Sequence, residues 1–377
     1  MRRRHRDRFL ALVEEAHAQM PTPDQQFWLE MLDHEYDNIR AALRFCQQDP
    51  NSGEAGLMLA ARLGDFWWIR GYLQEGRTFL KQALNHLEGQ NAHFARAQAL
   101  NIYGVLASYQ GKFAAAEEAL QASLELLRDL KETRQISMVL GNLGALYRET
   151  GQYQQSREVL EESLALTSEQ NLPANAVISL TNLAGTAFYQ KDYLFARKCY
   201  EEAIVLRKQL GNPRGVAISQ CGLGQVLMYM NETEAALRCF EEAEIVFREV
   251  NDRANLAITL HSIGALMAAR KEYDVARDRV TEALEICKDL EDVLIMVLLR
   301  ELAGIFKDSG DWRRGVRILA KSRSYAEAHG MAISPSETEL VANLRQELLQ
   351  TLSGPAFESE WEAGSRMSLE DAIAFAR

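Results

Sequence analysis

Asn142-Leu143-Gly144-Ala145-Leu146-Tyr147-Arg148-Glu149-Thr150-Gly151-Gln152-Tyr153 is the stretch on which the fold turns. Its closing trio, Gly151-Gln152-Tyr153, returns in weakened form as Gly111-Lys112-Phe113, Lys191-Asp192-Tyr193, Asn231-Glu232-Thr233 and Lys271-Glu272-Tyr273, at a constant step of 40 residues. A second ladder with the same step runs through Gly104, Gly144, Ala184, Gly224, Gly264 and Gly304. A period of this length marks a solenoid, whose stacked units cannot bury their apolar faces alone. It moves the expected function from catalysis toward binding.

One period, residues 133–170, reads as a helical hairpin. Ile136, Val139, Leu140, Leu143, Leu146 and Tyr147 recur at helical spacing. Gly151 ends that helix, because glycine accepts positive φ cheaply. From Tyr153 a second helix follows, with Val159, Leu160, Leu164 and Leu166 on its apolar side. The connections between hairpins carry breakers: Asn171-Leu172-Pro173, Gly211-Asn212-Pro213, Asn251-Asp252-Arg253 and Glu291-Asp292. The glycine ladder falls inside the first helix, where glycine costs about 1 kcal/mol relative to alanine. Its recurrence there predicts a close helix approach. A second set of small residues, Ala119, Ala203, Ala243 and Ala283 with Ser123 and Ser163 nearby, is read in the second helix.

Asn142-Leu143-Gly144, Tyr147, Gly151 and Tyr153 resemble the core of a tetratricopeptide repeat (TPR), as do Asn182-Leu183-Ala184, Tyr193, Ala196, Tyr200 and Ala203. The usual TPR unit is about 34 residues, and HEAT-type repeats have nearer this period. The helix-A glycine and the Gly-x-Tyr turn favour the TPR reading. The fold expected is therefore all-α: a right-handed superhelical solenoid of about seven TPR-like hairpins, starting near residues 54, 92, 133, 174, 213, 253 and 292. The first hairpin is degenerate, and Trp312 takes the aromatic slot of the last. Three regions follow: a helical extension over 1–52, the array over 53–333, and a capping helix (336–352) with a tail over 334–377. In the extension, Pro21 and Pro23 divide a helix from about Arg4 to Met20 from one over Asp24 to Gln47.

The two ends carry further marks. These are Glu35-Tyr36-Asp37-Asn38-Ile39-Arg40-Ala41-Ala42-Leu43, Phe66-Trp67-Trp68-Ile69-Arg70-Gly71-Tyr72 with Glu75-Gly76-Arg77, and Trp361-x-x-Gly364 before Arg366-Met367-Ser368-Leu369-Glu370-Asp371-Ala372. Together they resemble the C-terminal sensor region of bacterial STAND-type regulators, such as the maltose-regulon activator and the streptomycete antibiotic regulators. The tail departs in one place, with Ser365 between Gly364 and Arg366. In that group an ATPase module and a winged helix precede the repeats, so the resemblance implies an effector domain in cis upstream. No G-x-x-x-x-G-K-[ST] occurs here, so nothing about nucleotide binding carries over.

Composition narrows the partners. Net charge is −11, which argues against a general nucleic-acid surface. The basic cluster Arg2, Arg3, Arg4, Arg6 and Arg8 reads as the solvated start of a helix. Cys46, Cys199, Cys221, Cys239 and Cys287 are odd in number and lack a C-x-x-C, which suits apolar packing in a reducing compartment. No apolar run approaches a membrane span and no signal peptide opens the chain, so a cytoplasmic location is expected.

Aligned hairpins place two rows on the inner, helix-A face. One holds Asn101, Asn142, Asn182, Cys221 or Gly222, His261 and Glu301. The other holds Tyr109, Arg148, Glu149, Phe188, Tyr189, Met228, Tyr229 and Asp308. Asn, Arg and Tyr grip a peptide backbone or carboxylate through directional hydrogen bonds and aromatic area. The candidate ligand-binding residues are Asn101, Tyr109, Asn142, Arg148, Asn182, Tyr189, Tyr229 and His261; the asparagines equally suit a bridge between hairpins. No catalytic, cofactor or metal residue is expected. Neither H-E-x-x-H nor G-x-S-x-G occurs. The pairs Glu161-Glu162, Glu201-Glu202 and Glu241-Glu242 recur with the period, as a solvated outer face does. The expectation is a non-catalytic module that binds a protein segment or small inducer, with a homo-oligomeric scaffold or free-standing adaptor as the alternative.

Overall fold

The structure is a computed structural model that describes residues 2–20, 24–86, 92–288, 294–329 and 335–377. Pro21, Pro23 and Glu291-Asp292 lie outside the described residues. Among the described residues every regular element is a helix. The chain forms two compact units, Met1–Leu206 and Arg207–Arg377.

The first unit opens with α1 (Arg2–Gln19), α2 (Gln25–Gln48), α3 (Gly53–Arg62), α4 (Gly64–Ile69) and α5 (Leu73–His86). Three regular hairpins follow: α6 (His93–Tyr109) with α7 (Phe113–Leu130), α8 (Thr133–Glu149) with α9 (Tyr153–Glu169), and α10 (Pro173–Tyr189) with α11 (Tyr193–Gln209). The second unit holds α12 (Pro213–Tyr229) with α13 (Thr233–Glu249), α14 (Arg253–Ala269) with α15 (Tyr273–Lys288), and α16 (Leu294–Asp308) with α17 (Trp312–Ala328). It closes with α18 (Pro335–Thr351), α19 (Gly354–Arg366) and α20 (Leu369–Ala376).

The 40-residue step is written in backbone geometry. Gly111, Gly151, Lys191, Asn231 and Lys271 all take left-handed φ, between 60 and 76°. Each forms the reversal that ends a first helix. In every case the next amide donates five residues back, as Gln152 N to Tyr147 O at 2.7 Å and Glu232 N to Leu227 O at 2.9 Å. A second left-handed ladder, Lys131, Asn171, Gly211 and Asn251, turns the chain from one hairpin into the next. Sequence pattern showed Asn171, Gly211 and Asn251 only as breakers and did not mark Lys131.

The glycine ladder marks contact within each hairpin. A Cβ on Gly144 would lie 2.4 Å from Leu160, and one on Gly264 2.4 Å from Val280. Gly104 and Gly224 are equally close to Leu120 and Phe240 respectively, at 2.7 Å. Gly304 is the exception, with nothing within 4 Å. The small residues of the second helix regroup. Ser123, Ser163, Ala203, Ala243 and Ala283 form one fully buried ladder, whereas Ala119 shares its register with Cys199 and Cys239. Each serine there donates to a carbonyl of its partner helix, Ser123 to Ala97 at 2.7 Å and Ser163 to Ser137 at 3.0 Å.

The N-terminal helices share one core with the start of the array. Phe9, Val13, Leu32, Ile39, Leu57, Phe66, Trp67 and Leu80 are packed together. Trp67 Nε1 donates to the buried Tyr36 hydroxyl at 2.7 Å. Arg40 holds Glu75 with two bonds of 2.7 Å, and Arg70 meets Asp33 at 2.7 Å. The Asp37–Leu43 and Phe66–Arg77 signatures are thus the two sides of one packing joint. The basic cluster also has structural partners: Arg3 meets Asp49 at 3.2 Å and Arg6 meets Ser52 at 2.5 Å. The Ser52 hydroxyl and then Arg3 hold the Asp49 carboxyl down at about 2.

At the far end, α18 has only Leu348 fully buried among its described side chains. The helix that lies along α17 is α19, with Glu360 paired to Arg317. Gly364 allows this, because a Cβ there would sit 2.2 Å from the Arg317 carbonyl oxygen. Ser368 and Asp371 form a reciprocal cap that starts α20.

Candidate functional site

Inner-face side chains of the first unit come from α6, α8 and α10. Tyr109 ends α6 and is 59% exposed; Tyr189 ends α10 at 58%. Both carry aromatic support, Tyr109 from Trp68 at 5.5 Å and Tyr189 from Tyr153 in a parallel stack at 6.0 Å. The Tyr109 phenol is pushed up by partial burial and then by the Glu149 carboxylate, with Arg148 opposing. Tyr109 therefore faces the charged end of the next hairpin.

Tyr109, Asn142 and Arg148 line one cavity of about 490 Å³, together with Phe113, Val105 and Glu149. The apolar floor and aromatic rim come from α6 and α7, and the charged wall comes from α8. Arg148 reaches Glu149 at 3.3 Å. Its guanidinium occupies the space over Gly185, where a Cβ would be 2.9 Å from Nη1. A larger residue at 185 would displace the cation. Sequence reading missed Gly185, Trp68 and Phe113, because each acts across a hairpin boundary that a local pattern does not show.

The asparagines bridge hairpins. Asn142 Nδ2 donates to Asn101 Oδ1 at 2.8 Å, and Asn182 Nδ2 donates to the Gly141 carbonyl at 3.3 Å. Asn101 is buried and lines a neighbouring cavity of about 640 Å³, between α1, α3, α6 and α8. A buried amide outside the predicted rows, Asn175, makes a similar link to Ser137 Oγ at 2.8 Å. In the second unit, Tyr229 ends α12 with 61% exposure. His261 Nε2 pairs with Glu301, one hairpin on, both at the repeat position of Asn101 and one residue short of that of Asn142 and Asn182. The structure thus brings Tyr109, Asn142 and Arg148 to one cavity. Asn101 lies on α6 itself, bonded to Asn142 but lining the neighbouring cavity; Asn182 and Tyr189 lie on the adjoining hairpin of that unit, and Tyr229 and His261 belong to the other.

Burial pushes the Cys46, Cys199 and Cys221 thiols up to about 11, which suits packing residues. Among the described residues no group of three or more His, Cys, Asp or Glu is placed to hold a metal ion. Among them, too, no helix is long and apolar enough to cross a membrane.

Comparison with known proteins agrees with this architecture. The tetratricopeptide repeat family matches over residues 135–209, 175–244 and 215–289. No curated protein matches in sequence. Among solved structures, a Rap protein complexed with Competence and Sporulation Factor is similar over 99% of this chain and 100% of its own, with 14% identity and TM-score 0.60. Aspartyl phosphate phosphatase F from Bacillus subtilis is similar over 86% of this chain and 96% of its own, with 10% identity and TM-score 0.59. A STAND protein with a tetratricopeptide repeat sensor, from Pyrococcus horikoshii, is similar over 88% of this chain, at 16% identity and TM-score 0.56; the match spans 50% of that protein. At such identities the likeness is one of fold. The chain is an all-α solenoid of TPR-like hairpins, and its residues 135–289 are tetratricopeptide repeats.

Proposed function

We propose that the chain is the sensor part of a signalling regulator, which captures a polypeptide segment or small inducer on its helix-A surface without catalysis of its own. The observation that carries this reading is the cavity shared by Tyr109, Asn142 and Arg148. It offers an aromatic face, an amide and a cation held in place by Glu149 and Gly185. That set suits a peptide carboxylate or an acidic side chain with an apolar neighbour. The fold relatives support it in kind, since one is a Rap protein complexed with Competence and Sporulation Factor and another a STAND protein with a tetratricopeptide repeat sensor. A ligand wedged between α6 and α8 favours one spacing of those hairpins, and an effector joined to the array reads the shifted population.

The test compares the native chain with a Tyr109→Ala, Arg148→Ala double variant in affinity capture from cytosol, followed by titration of the captured species. Asn142 is left intact to preserve the bridge to Asn101. The expected outcome is a loss of affinity of about tenfold or more, near 1.4 kcal/mol. Undiminished capture by the double variant defeats the reading. A mass that grows with concentration in light scattering, with no captured species, points instead to a self-association scaffold.

A further inference from the structure

The outer surface of the first unit holds a cavity that the reading above does not use. It measures about 640 Å³ and opens between α9 and α11, over the start of α10. Leu164, Leu180, Val205 and Leu206 supply its apolar wall, and Ser168 and Glu202 stand at its edge.

It lies where a recurring ion pair is missing. At two other junctions the second helices of consecutive hairpins are joined by an arginine and a glutamate 34 residues apart. Arg128 reaches Glu162 at 2.5 Å in the first unit, and Arg248 reaches Glu282 at 2.6 Å in the second. The corresponding sequence pairs are Ser168 with Glu202 and Lys208 with Glu242. The position at 168 therefore keeps its acceptor and lacks its cation. Ser168 is too short to cross, and its hydroxyl donates instead to its own helix, to Leu164 O at 2.8 Å. Glu202 has Lys198 one turn back at 3.8 Å, and Glu201 has Arg197 at 2.8 Å. Both of these partners sit on α11 itself, so neither spans the gap.

We propose that this cavity receives an arginine side chain from a partner polypeptide. The guanidinium takes the place held by Arg128 and Arg248 at the sibling junctions, on the carboxylate of Glu202. Its aliphatic stem, and an apolar residue beside it, lie along Leu164, Val205 and Leu206. The volume exceeds what one side chain fills, which is why an apolar neighbour accompanies the arginine. The net charge of −11 draws a cationic segment in. An exposed ion pair contributes little by itself, so the apolar wall supplies affinity and the carboxylate selects the cation. Arginine suits the site better than lysine because its planar fork meets a carboxylate with two bonds.

The probe is a fluorescein-labelled heptapeptide with a central arginine between leucines, set against its citrulline twin and followed by anisotropy on the full chain. The arginine peptide is expected to bind about fivefold more tightly or better, a difference near 1 kcal/mol. Ser168→Arg rebuilds the missing junction and weakens the arginine peptide by about tenfold or more, with an unchanged circular-dichroism spectrum. Glu202→Gln erases the arginine–citrulline difference. Arg148→Ala leaves binding unchanged, which separates this outer site from the inner one. Equal binding of the two peptides, undiminished binding to natively folded Ser168→Arg, or no binding to the native chain overturns the proposal.

Discussion

At the scale of single residues, the same glycine ladder supports opposite predictions at two of its steps. Gly144 has Leu160 within 2.4 Å of the space a Cβ would fill, so Gly144→Ala forces the hairpin apart. Overpacking of this kind costs about 1–3 kcal/mol. Gly304 lies within α16 and has nothing within 4 Å. Gly304→Ala removes backbone freedom from the unfolded chain and raises stability by about 0.5–1 kcal/mol. Urea midpoints of the two variants should move in opposite directions. The thiols give a pH prediction. Cys46, Cys199 and Cys221 ionise near 9 when unfolded and near 11 when folded. Their contribution is complete below pH 9 and fades as pH rises toward 11, because only the unfolded chain gains thiolate there. A Cys46→Ala, Cys199→Ala, Cys221→Ala variant should show a flatter decline over that window than the native chain, in urea titrations at matched pH.

At the scale of elements, docking of the C-terminal helices rests on a missing side chain. The Arg317 carbonyl lies 2.2 Å from where a Gly364 Cβ would be, and backbone does not yield as a flexible side chain would. Gly364→Ala should therefore loosen α19, and with it α20, while the hairpins above remain folded. Amide exchange over 354–376 should accelerate about tenfold or more, with exchange in α12–α15 unchanged. The turns of this molecule were legible in its sequence, and for a physical reason. A left-handed residue after a helix favours glycine and asparagine, so Gly111, Gly151 and Asn231 announce themselves, whereas Lys191 and Lys271 are legible only through the period. The small residue at Gly144 does the same for helix contact. The site was less legible. Tyr109 and Arg148 follow from register, but the space Gly185 leaves for Arg148 depends on two side chains from different hairpins. The joint between Arg40 and Glu75 was hidden for a similar reason, since an extension without repeats offers no register to align.

At the scale of the whole molecule, contacts run from each element mainly to its neighbours in sequence, so stability approximates a sum of repeats and junctions. Deleting residues 132–171 joins Lys131 to Leu172, which occupy consecutive places in the repeat. Such a chain should fold with an undiminished helical signal per residue and a lower melting midpoint. Deleting 132–169 leaves two surplus residues at the turn, misplaces the left-handed position, and should abolish the cooperative melt. Circular dichroism with temperature distinguishes the two.

The cation of Arg148 rests against the helix of the following hairpin, and the amide of Asn142 holds the preceding one. On the proposed function, a hairpin exchanged between two such proteins therefore alters the contacts at both of its flanks at once. Recombination that cuts within a connecting turn, as between Lys131 and Glu132, parts Asn142 from Asn101 and sets a new pair of flanking residues together, without touching a single residue inside either parent hairpin.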